Sequence, residues 1–246
     1  MRLTVVGSSG SVPGPDSACS CYLVEQDGFR LLLDLGTGAV GPLQRYVAPA
    51  DVGAVVVTHA HGDHWADLVE LGYLRTLPDV GPLPPLPVHG PANLRTVVRE
   101  NPTVYAPTDL APGERRVGPF DLRFAATEHI EHSHAVRVDD ALCYTGDTAP
   151  CAALDELAAG CEVLLAEASG VLGPLRGGHL TAADAGRLAA RSGARLLVLT
   201  HLRPWQDHAE LLAEAAHHAG CPRRARSPWI NPGDRPSPAI GSPRDG

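Results

Sequence analysis

"VVVTHAHGDHWADL", residues 55–68, closes an apolar, β-prone run with three histidines and an aspartate inside six positions. Side chains repeat every second residue in an extended segment, so His59 and His61 point the same way and can bind one metal. Asp63 and His64 stand at the turn into the helical stretch "WADLVELGYL", point elsewhere and can bind a second metal. Asp63 also reads as the N-cap of that helix. Any one of the four reads equally well as a polar loop residue; the four together point to metal.

Working outward, other strand ends carry the same residue types. His129 follows "LRFAAT", Asp147 follows "LCYTG" and His201 follows "LLVLT". Strands deliver their end residues to one rim of a fold, so these side chains can converge on the first cluster. Apolar runs at 3–7, 21–25, 30–36, 54–59, 121–127, 135–140, 141–147, 162–169 and 195–201 predict strands. Helical periodicity at 39–46, 64–77, 92–100, 150–159, 181–192 and 207–219 predicts helices between them. Strands dominate the first half and strands alternate with helices in the second. That order fits a mixed α/β (α+β) chain, an αββα four-layer sandwich, better than one doubly wound parallel sheet. "LPDVGPLPPLPVHGP" (77–91) reads as a surface connector and "NPGDRPSPAIGSPRDG" (231–246) as a disordered end without chemistry. The folded domain is therefore expected over 1–229, with 230–246 as a tail.

Composition narrows the chemistry. A chain of 246 residues is long enough for one large domain with a substantial core. All 20 basic residues are Arg, which excludes a Lys Schiff base and the phosphate-binding Lys of a P-loop. The net charge of -8 argues against a large polyanionic partner, because nucleic-acid affinity rests on cationic side chains. Six cysteines without a C-x-x-C pair read as free thiols of a reducing compartment, not as a disulfide framework. With no signal-like start and no membrane-spanning run, a cytoplasmic location without membrane contact is expected.

"THAHGDH" matches the H-x-H-x-D-H signature of the metallo-β-lactamase superfamily, and His129, Asp147 in "YTGDT" and His201 in "LTHL" occur in that superfamily's order. "GSSGSVPGP", "LLLDLGTGAVGPLQRY", "YTGDTAPC", "LLAEAS", "GGHLTAADAGRLAARSG" and "LVLTHLRPW" resemble the ribonuclease Z-like branch, above all its bacterial cyclic-nucleotide phosphodiesterase-like metallo-hydrolases. The resemblance runs from residue 3 to about 229. It implies an αββα fold with a di-metal centre between the sheets: His59, His61 and His129 on one metal, Asp63, His64 and His201 on the other, and Asp147 bridging. A mixed His and carboxylate set suits two zinc ions, with manganese or iron as alternatives. The third motif, "EHIEHSHAVRV", offers His129, His132 and His134 for one place, and Ala135 stands where relatives carry Gly. His129 ends its strand and keeps the family spacing, so it is the expected ligand, with His132 and His134 in loop or substrate-facing roles. His89, His208, His217 and His218 read as surface or structural histidines.

Two divalent ions sharing a water lower its pKa towards ~7 and offset charge developing on a phosphodiester. Asp63 can orient that nucleophile as well as bind metal. The resemblance makes Glu167 in "AEAS" and His179 in "GGHLT" a pair: the carboxylate fixes the ring's tautomer and the imidazole protonates the leaving oxygen. The bland reading is a strand-end Glu and a His that only caps the helix at 181–192, where Thr181 is an equally good cap. Ribonuclease Z grips tRNA with a long basic arm, whereas only 17 residues, 130–146, separate His129 from Asp147 here, with few Arg. That argues against tRNA and for a small phosphodiester, a cyclic nucleotide first. The alternatives are a thioester or lactone substrate, or a non-catalytic metal- or nucleotide-binding module. Members of the superfamily often form dimers, so a homodimer stays open, although no stretch identifies an interface.

Overall fold

Leu31, Leu32 and Leu33 show the logic of the architecture. All three are buried, but Leu31 and Leu33 belong to one apolar cluster and Leu32 to another. A strand covered on both faces has this property and reads as a continuous apolar run instead of alternating. The computed structural model describes residues 1–94, 98, 101–170, 177–220 and 225–226. Its first sheet holds β1 (Arg2–Ser9), β2 (Ala18–Cys19), β3 (Cys21–Gln26), β4 (Phe29–Leu35), β5 (Ala54–Val56), β6 (Leu86–Gly90) and β7 (Tyr105–Asp109) in the order β2-β1-β3-β4-β5-β6-β7. The second holds β8 (Gly113–Val117), β9 (Phe120–Ala126), β10 (His134–Val138), β11 (Leu142–Tyr144), β12 (Val163–Glu167), β13 (Leu196–Thr200) and β14 (Ala225–Arg226) in the order β14-β13-β12-β11-β10-β9-β8.

Three apolar clusters separate four layers. Leu3, Tyr22, Leu31 and Val56 of the first sheet meet Phe120, Val136, Tyr144 and Leu165 of the second. The other face of the first sheet packs Leu23, Leu32 and Val55 on α1 (Val40–Leu43) and α3 (Leu68–Thr76), with α2 (Gly62–Trp65) between them in the chain. The other face of the second packs Cys143, Leu164 and Leu197 on α4 (Ala152–Ala158), α5 (Ala182–Ser192) and α6 (His208–His218). The αββα sandwich expected from the sequence is present. α5 begins with a full capping box, Thr181 accepting from the Asp184 N–H while Asp184 accepts from Thr181, and ends at Gly193 in the left-handed region.

Three expectations need correction. The stretch 77–91 is not only a connector: residues 86–90 form β6 between β5 and β7, with Leu86 and Val88 buried. Pro87 precedes the β5 ladder, which starts at Val88, so its missing N–H costs no hydrogen bond there. β7 and β8 were not anticipated; each is the outer strand of its sheet and mixes exposed with buried positions. Asp63 is not an N-cap, since His61 holds that position of α2 without a side-chain bond and Asp63 lies in the first turn. The helical stretch at 92–100 lies largely outside the described residues, as do the boundary at 229 and the tail 230–246. Among the described residues, no helix is long and apolar enough to cross a membrane, and the five described cysteines are free.

Candidate metal centre

Both sheets end at one rim, and seven side chains meet there. His59 and His61 follow β5, with Asp63 and His64 in α2; His129, Asp147 and His201 follow β9, β11 and β13. Ligand atoms of His59, His61, His129 and Asp147 lie within 4.8 Å of one another, as do those of Asp63, His64 and His201. Asp147 Oδ2 approaches His59 Nε2 at 3.7 Å, His129 Nε2 at 3.8 Å and His201 Nε2 at 3.2 Å, while its Oδ1 is 3.4 Å from His64 Nε2. Asp147 thus stands between the two groups.

The outer nitrogens of these imidazoles are already engaged. His129 Nδ1 donates to the Gly178 carbonyl at 3.1 Å, and His64 Nδ1 to Asp34 Oδ2 at 2.8 Å. Thr58 Oγ1 donates to Asp34 and so accepts from His59 Nδ1; Ser169 Oγ donates to Glu167 and so accepts from His201 Nδ1. In a neutral ring with one nitrogen donating, the other carries a lone pair. Hence Nε2 of His59, His64, His129 and His201 all present lone pairs inward. His59 Nε2 and His129 Nε2 each sit 3.1 Å from His61 Nδ1, and His201 Nε2 sits 3.0 Å from Asp63 Oδ2. His64 Nε2 and Asp147 Oδ1 are buried without any hydrogen-bond partner. Lone pairs and carboxylates converging without donors between them fit a divalent cation.

The electrostatics agree. Burial disfavours a charged His64, yet Asp147 and Asp34 outweigh it and push its pKa well above the ordinary imidazole value, so that without a cation a proton occupies its Nε2 lone pair. Burial likewise opposes ionisation of Asp63, but His201 and His64, where they carry protons in place of a cation, hold it well below the usual carboxylate range. The carboxylates draw positive charge into the site. His59, deeper among the other rings, moves the opposite way: burial and the neighbouring His64 lower it well below its ordinary value.

Backbone strain marks the same place. Asp34 and His201 both adopt left-handed φ values, 57° and 53°, which non-glycine residues avoid unless their surroundings enforce them. Glycines let neighbouring loops close in: a Cβ at Gly36 would meet the Asp63 carbonyl oxygen at 1.9 Å, and one at Gly10 the His201 carbonyl oxygen at 2.5 Å. The Ser11 N–H donates to Asp63 Oδ2 at 2.8 Å.

Beside the cluster, Glu167 at the end of β12 is fully buried and takes hydrogen bonds from the N–H groups of Thr148, Ser169 and Leu180, from the Ser169 hydroxyl and from His179 Nδ1 at 2.9 Å. Its oxygens are occupied, so it anchors His179 and does not compete as a ligand. Burial works against a charged His179, but the hydrogen bond and charge of Glu167, with Asp147, outweigh it and raise its pKa. Thr181, not His179, caps α5.

His129 is the member of "EHIEHSH" brought into the cluster. His132 lies in the loop with a left-handed φ of 64° and faces Glu131 at 3.4 Å. His134 is not in a loop: it starts β10, is buried and donates its backbone N–H to the Thr58 carbonyl. His89 is buried with Nδ1 3.3 Å from Arg115, and His208 donates to the Arg203 carbonyl, both structural arrangements. Sequence reasoning assigned nothing to Asp34, which accepts from the Thr58 N–H and hydroxyl, His64 Nδ1 and the Tyr144 hydroxyl at 2.7–3.0 Å. An acid inside the otherwise apolar "RLLLDLG" was the signal.

The profile of the beta-lactamase superfamily domain matches residues 29–202. An uncharacterized protein of Mycobacterium leprae, ML1173, is 35% identical over 87% of this chain and 82% of its own length. The probable metallo-hydrolase YhfI of Bacillus subtilis is 29% identical over 87% of this chain and 92% of its own. A ribonuclease Z of Mycolicibacterium paratuberculosis is 29% identical over 83% and 86%. Among solved structures, the metallo-beta-lactamase fold protein YhfI superposes with a TM-score of 0.82 at 26% identity, over 92% of this chain and 95% of that one. A diphosphatase of the PhnP family superposes with a TM-score of 0.77 at 18% identity, over 92% and 94%.

Proposed function

Because the chain belongs to the beta-lactamase superfamily, as a metallo-hydrolase whose His and Asp cluster suits divalent metal, we propose that it cleaves a small phosphodiester, a cyclic nucleotide first. His59, His61 and His129 would hold one cation, Asp63, His64 and His201 a second, and Asp147 both. Zinc suits this donor set best, with manganese or iron as alternatives. Cations held there supply Lewis acidity, making water nucleophilic at neutral pH and offsetting charge on the phosphoryl group.

The observation that carries the phosphodiester reading is the His179–Glu167 pair, 2.9 Å apart, with His179 Nδ1 3.8 Å from Asp147 Oδ2. Alkoxides leave poorly until protonated, whereas the thiolate of a thioester leaves without a general acid, so the pair favours the phosphodiester over the thioester. Glu167 fixes Nδ1 as the donor nitrogen of His179, which leaves Nε2 to hold and deliver a proton; the raised pKa keeps that proton available. Asp63, held by the Ser11 N–H, is oriented both to ligate and to position the attacking water. The ribonuclease Z relative supports phosphodiester chemistry by name. Its substrate class, RNA, is not carried over, since 130–146 offers only Arg137 as a cation and that side chain is buried among backbone carbonyls.

The test is a substrate panel run with measured metal stoichiometry: bis(p-nitrophenyl) phosphate, 3′,5′ and 2′,3′ cyclic nucleotides, thioesters and lactones. Metal-replete protein is expected to turn over at least one cyclic nucleotide and to lose activity in Asp147→Ala. Activity on thioesters or lactones with none on phosphodiesters would replace the substrate class. Metal uptake with no turnover would favour the binding-module alternative. His179→Ala should slow substrates with poor leaving groups by about 10²–10⁴-fold and activated aryl esters much less; equal losses would remove the general-acid role.

A further inference from the structure

Arg203 stands out among the described arginines. Most of the others have partners: Arg2 and Arg30 face Glu25, Arg116 faces Asp121, Arg123 faces Asp140, Arg187 faces Asp184 and Arg191 faces Asp155, while Arg45 and Arg195, which face no acid among the described residues, are exposed to water. Arg75 and Arg137 donate to backbone carbonyls. Arg203 is partly withdrawn from solvent, yet its guanidinium makes no hydrogen bond or ion pair with the described residues. A half-buried cation without a counter-ion is costly in a free protein and suits a site whose anion arrives with the ligand. The group lies within electrostatic range of His179, whose charged form it opposes.

The loop bearing Arg203 is built to stay in place. The Arg203 N–H donates to Gln206 Oε1, and the Arg203 carbonyl accepts from the Gln206 N–H and His208 Nε2, all at 2.9–3.0 Å. Leu202 exchanges backbone hydrogen bonds with Ser8 and Gly10, and a Cβ on Gly14 would touch Pro204 at 3.2 Å. The loop after β1 and the loop after β13 therefore lie against one another, next to Asp63 and His201. Each carries an exposed large apolar side chain, Val12 at 46% and Trp205 at 67%; among the described residues the other three, Val69, Tyr73 and Leu77, lie on or just after α3. An indole left in water on a pinned loop offers a face on which a planar base can stack.

We infer that Arg203 and Trp205 form the nucleotide-specific part of the substrate site, the guanidinium pairing with a phosphate oxygen beside His179 and the indole stacking on the base. The inference rests on the phosphodiester reading above and adds its recognition element. Arg suits this task because its planar fork binds two phosphate oxygens at once, which Lys does not.

The experiment titrates the metal-loaded full chain with adenosine 5′-monophosphate, adenosine and inorganic phosphate by calorimetry, and measures kcat and KM on a cyclic nucleotide and on bis(p-nitrophenyl) phosphate. Arg203→Gln should weaken the monophosphate by about tenfold or more and adenosine by less than about twofold, with Arg203→Lys in between. Trp205→Ala should weaken both adenosine compounds by about fivefold or more and inorganic phosphate by less than about twofold. Arg203→Gln should raise KM for both phosphodiesters, and Trp205→Ala should raise KM for the cyclic nucleotide more than KM for the aryl diester. If the wild type cleaves cyclic nucleotides while both variants keep its affinities and KM values, the inference falls and the proposed function stands. If the wild type cleaves no phosphodiester but binds the monophosphate through Arg203, the reverse holds. Absence of both cleavage and binding overturns both. Arg203→Lys keeps the test valid should Arg203→Gln fail to fold.

Discussion

Asp34 shows how much of the site is decided by a residue that would touch neither metal nor substrate. Its two oxygens take four hydrogen bonds, two from Thr58 and one each from His64 and Tyr144, in a fully buried position. The bond to His64 Nδ1 is what turns the Nε2 lone pair inward, and the bond to Thr58 Oγ1 lets that hydroxyl accept from His59. Asp34→Asn keeps the volume but replaces one acceptor oxygen with an NH₂ group that cannot accept. Metal affinity should fall by about 10–100-fold, as for other changes to the partners that orient ligating imidazoles. Chelator competition measures it, with far-UV circular dichroism checking that the fold is retained; unchanged affinity would show that α2 packing alone orients His64. Strand ends and the period-2 spacing of His59 and His61 made the convergence of seven side chains legible in the sequence. Asp34 escaped because its role depends on partners 24, 30 and 110 residues away. No spacing rule reports partners so distant, and Arg203 escaped for the converse reason, that its distinction is a missing partner.

At the scale of elements, the runs buried on both faces were easy to read and the outermost strands were not. β4, β12 and β13 carry continuous apolar runs, 31–33, 163–166 and 196–199, because helices cover one face and the opposite sheet the other. β7 and β8 carry exposed polar positions because each has a neighbour on one side alone, so no apolar run announces them. β6 was hidden by Pro84, Pro85 and Pro87, although Leu86 and Val88 keep the alternation of a strand. Two element junctions carry predictions. Arg137 of β10 is buried and donates to the carbonyls of Leu157 and Ala159 at the end of α4 and to those of Asp139 and Asp140 in the turn before β11. Arg137→Met strips the donors from several carbonyls at once and should cost about 2–4 kcal/mol. At the start of α5, Thr181→Ala removes one half of a capping box and should cost about 1 kcal/mol. Urea unfolding of the metal-free chain separates the two, and an Arg137→Met loss no larger than that of Thr181→Ala would show that water or backbone adjustment replaces the guanidinium.

For the whole molecule, the two sheets are joined by an apolar core that has no direction and by a few polar contacts that do. The Tyr22 hydroxyl of β3 meets Thr200 Oγ1 of β13 at 2.6 Å, and the Tyr144 hydroxyl of β11 donates to Asp34 of β4 at 2.7 Å. The candidate ligands divide the same way, with His59, His61, Asp63 and His64 following the first sheet's β5 and His129, Asp147 and His201 following strands of the second. Metal shared between these groups would cross-link the sheets, so its binding free energy would be added to the stability of the sandwich and not confined to one loop. A ligand that binds only the folded chain stabilises it by about 2.7 kcal/mol at a hundred times its Kd. For a chain of this size each kcal/mol moves Tm by about 2–4 °C, so saturating metal should raise Tm by about 5–10 °C over chelated protein. His201→Ala leaves the first-sheet residues intact but removes a second-sheet partner of Asp63 and Asp147. It should therefore lose about half of the metal-induced rise, measured for each protein against its own chelated form, because the buried His201 side chain also hydrogen-bonds Ser169 and its loss lowers the baseline Tm. Scanning calorimetry with and without chelator decides the matter: a metal-induced rise equal to that of the wild type would mean that the cations bind within one sheet's loops and do not join the halves.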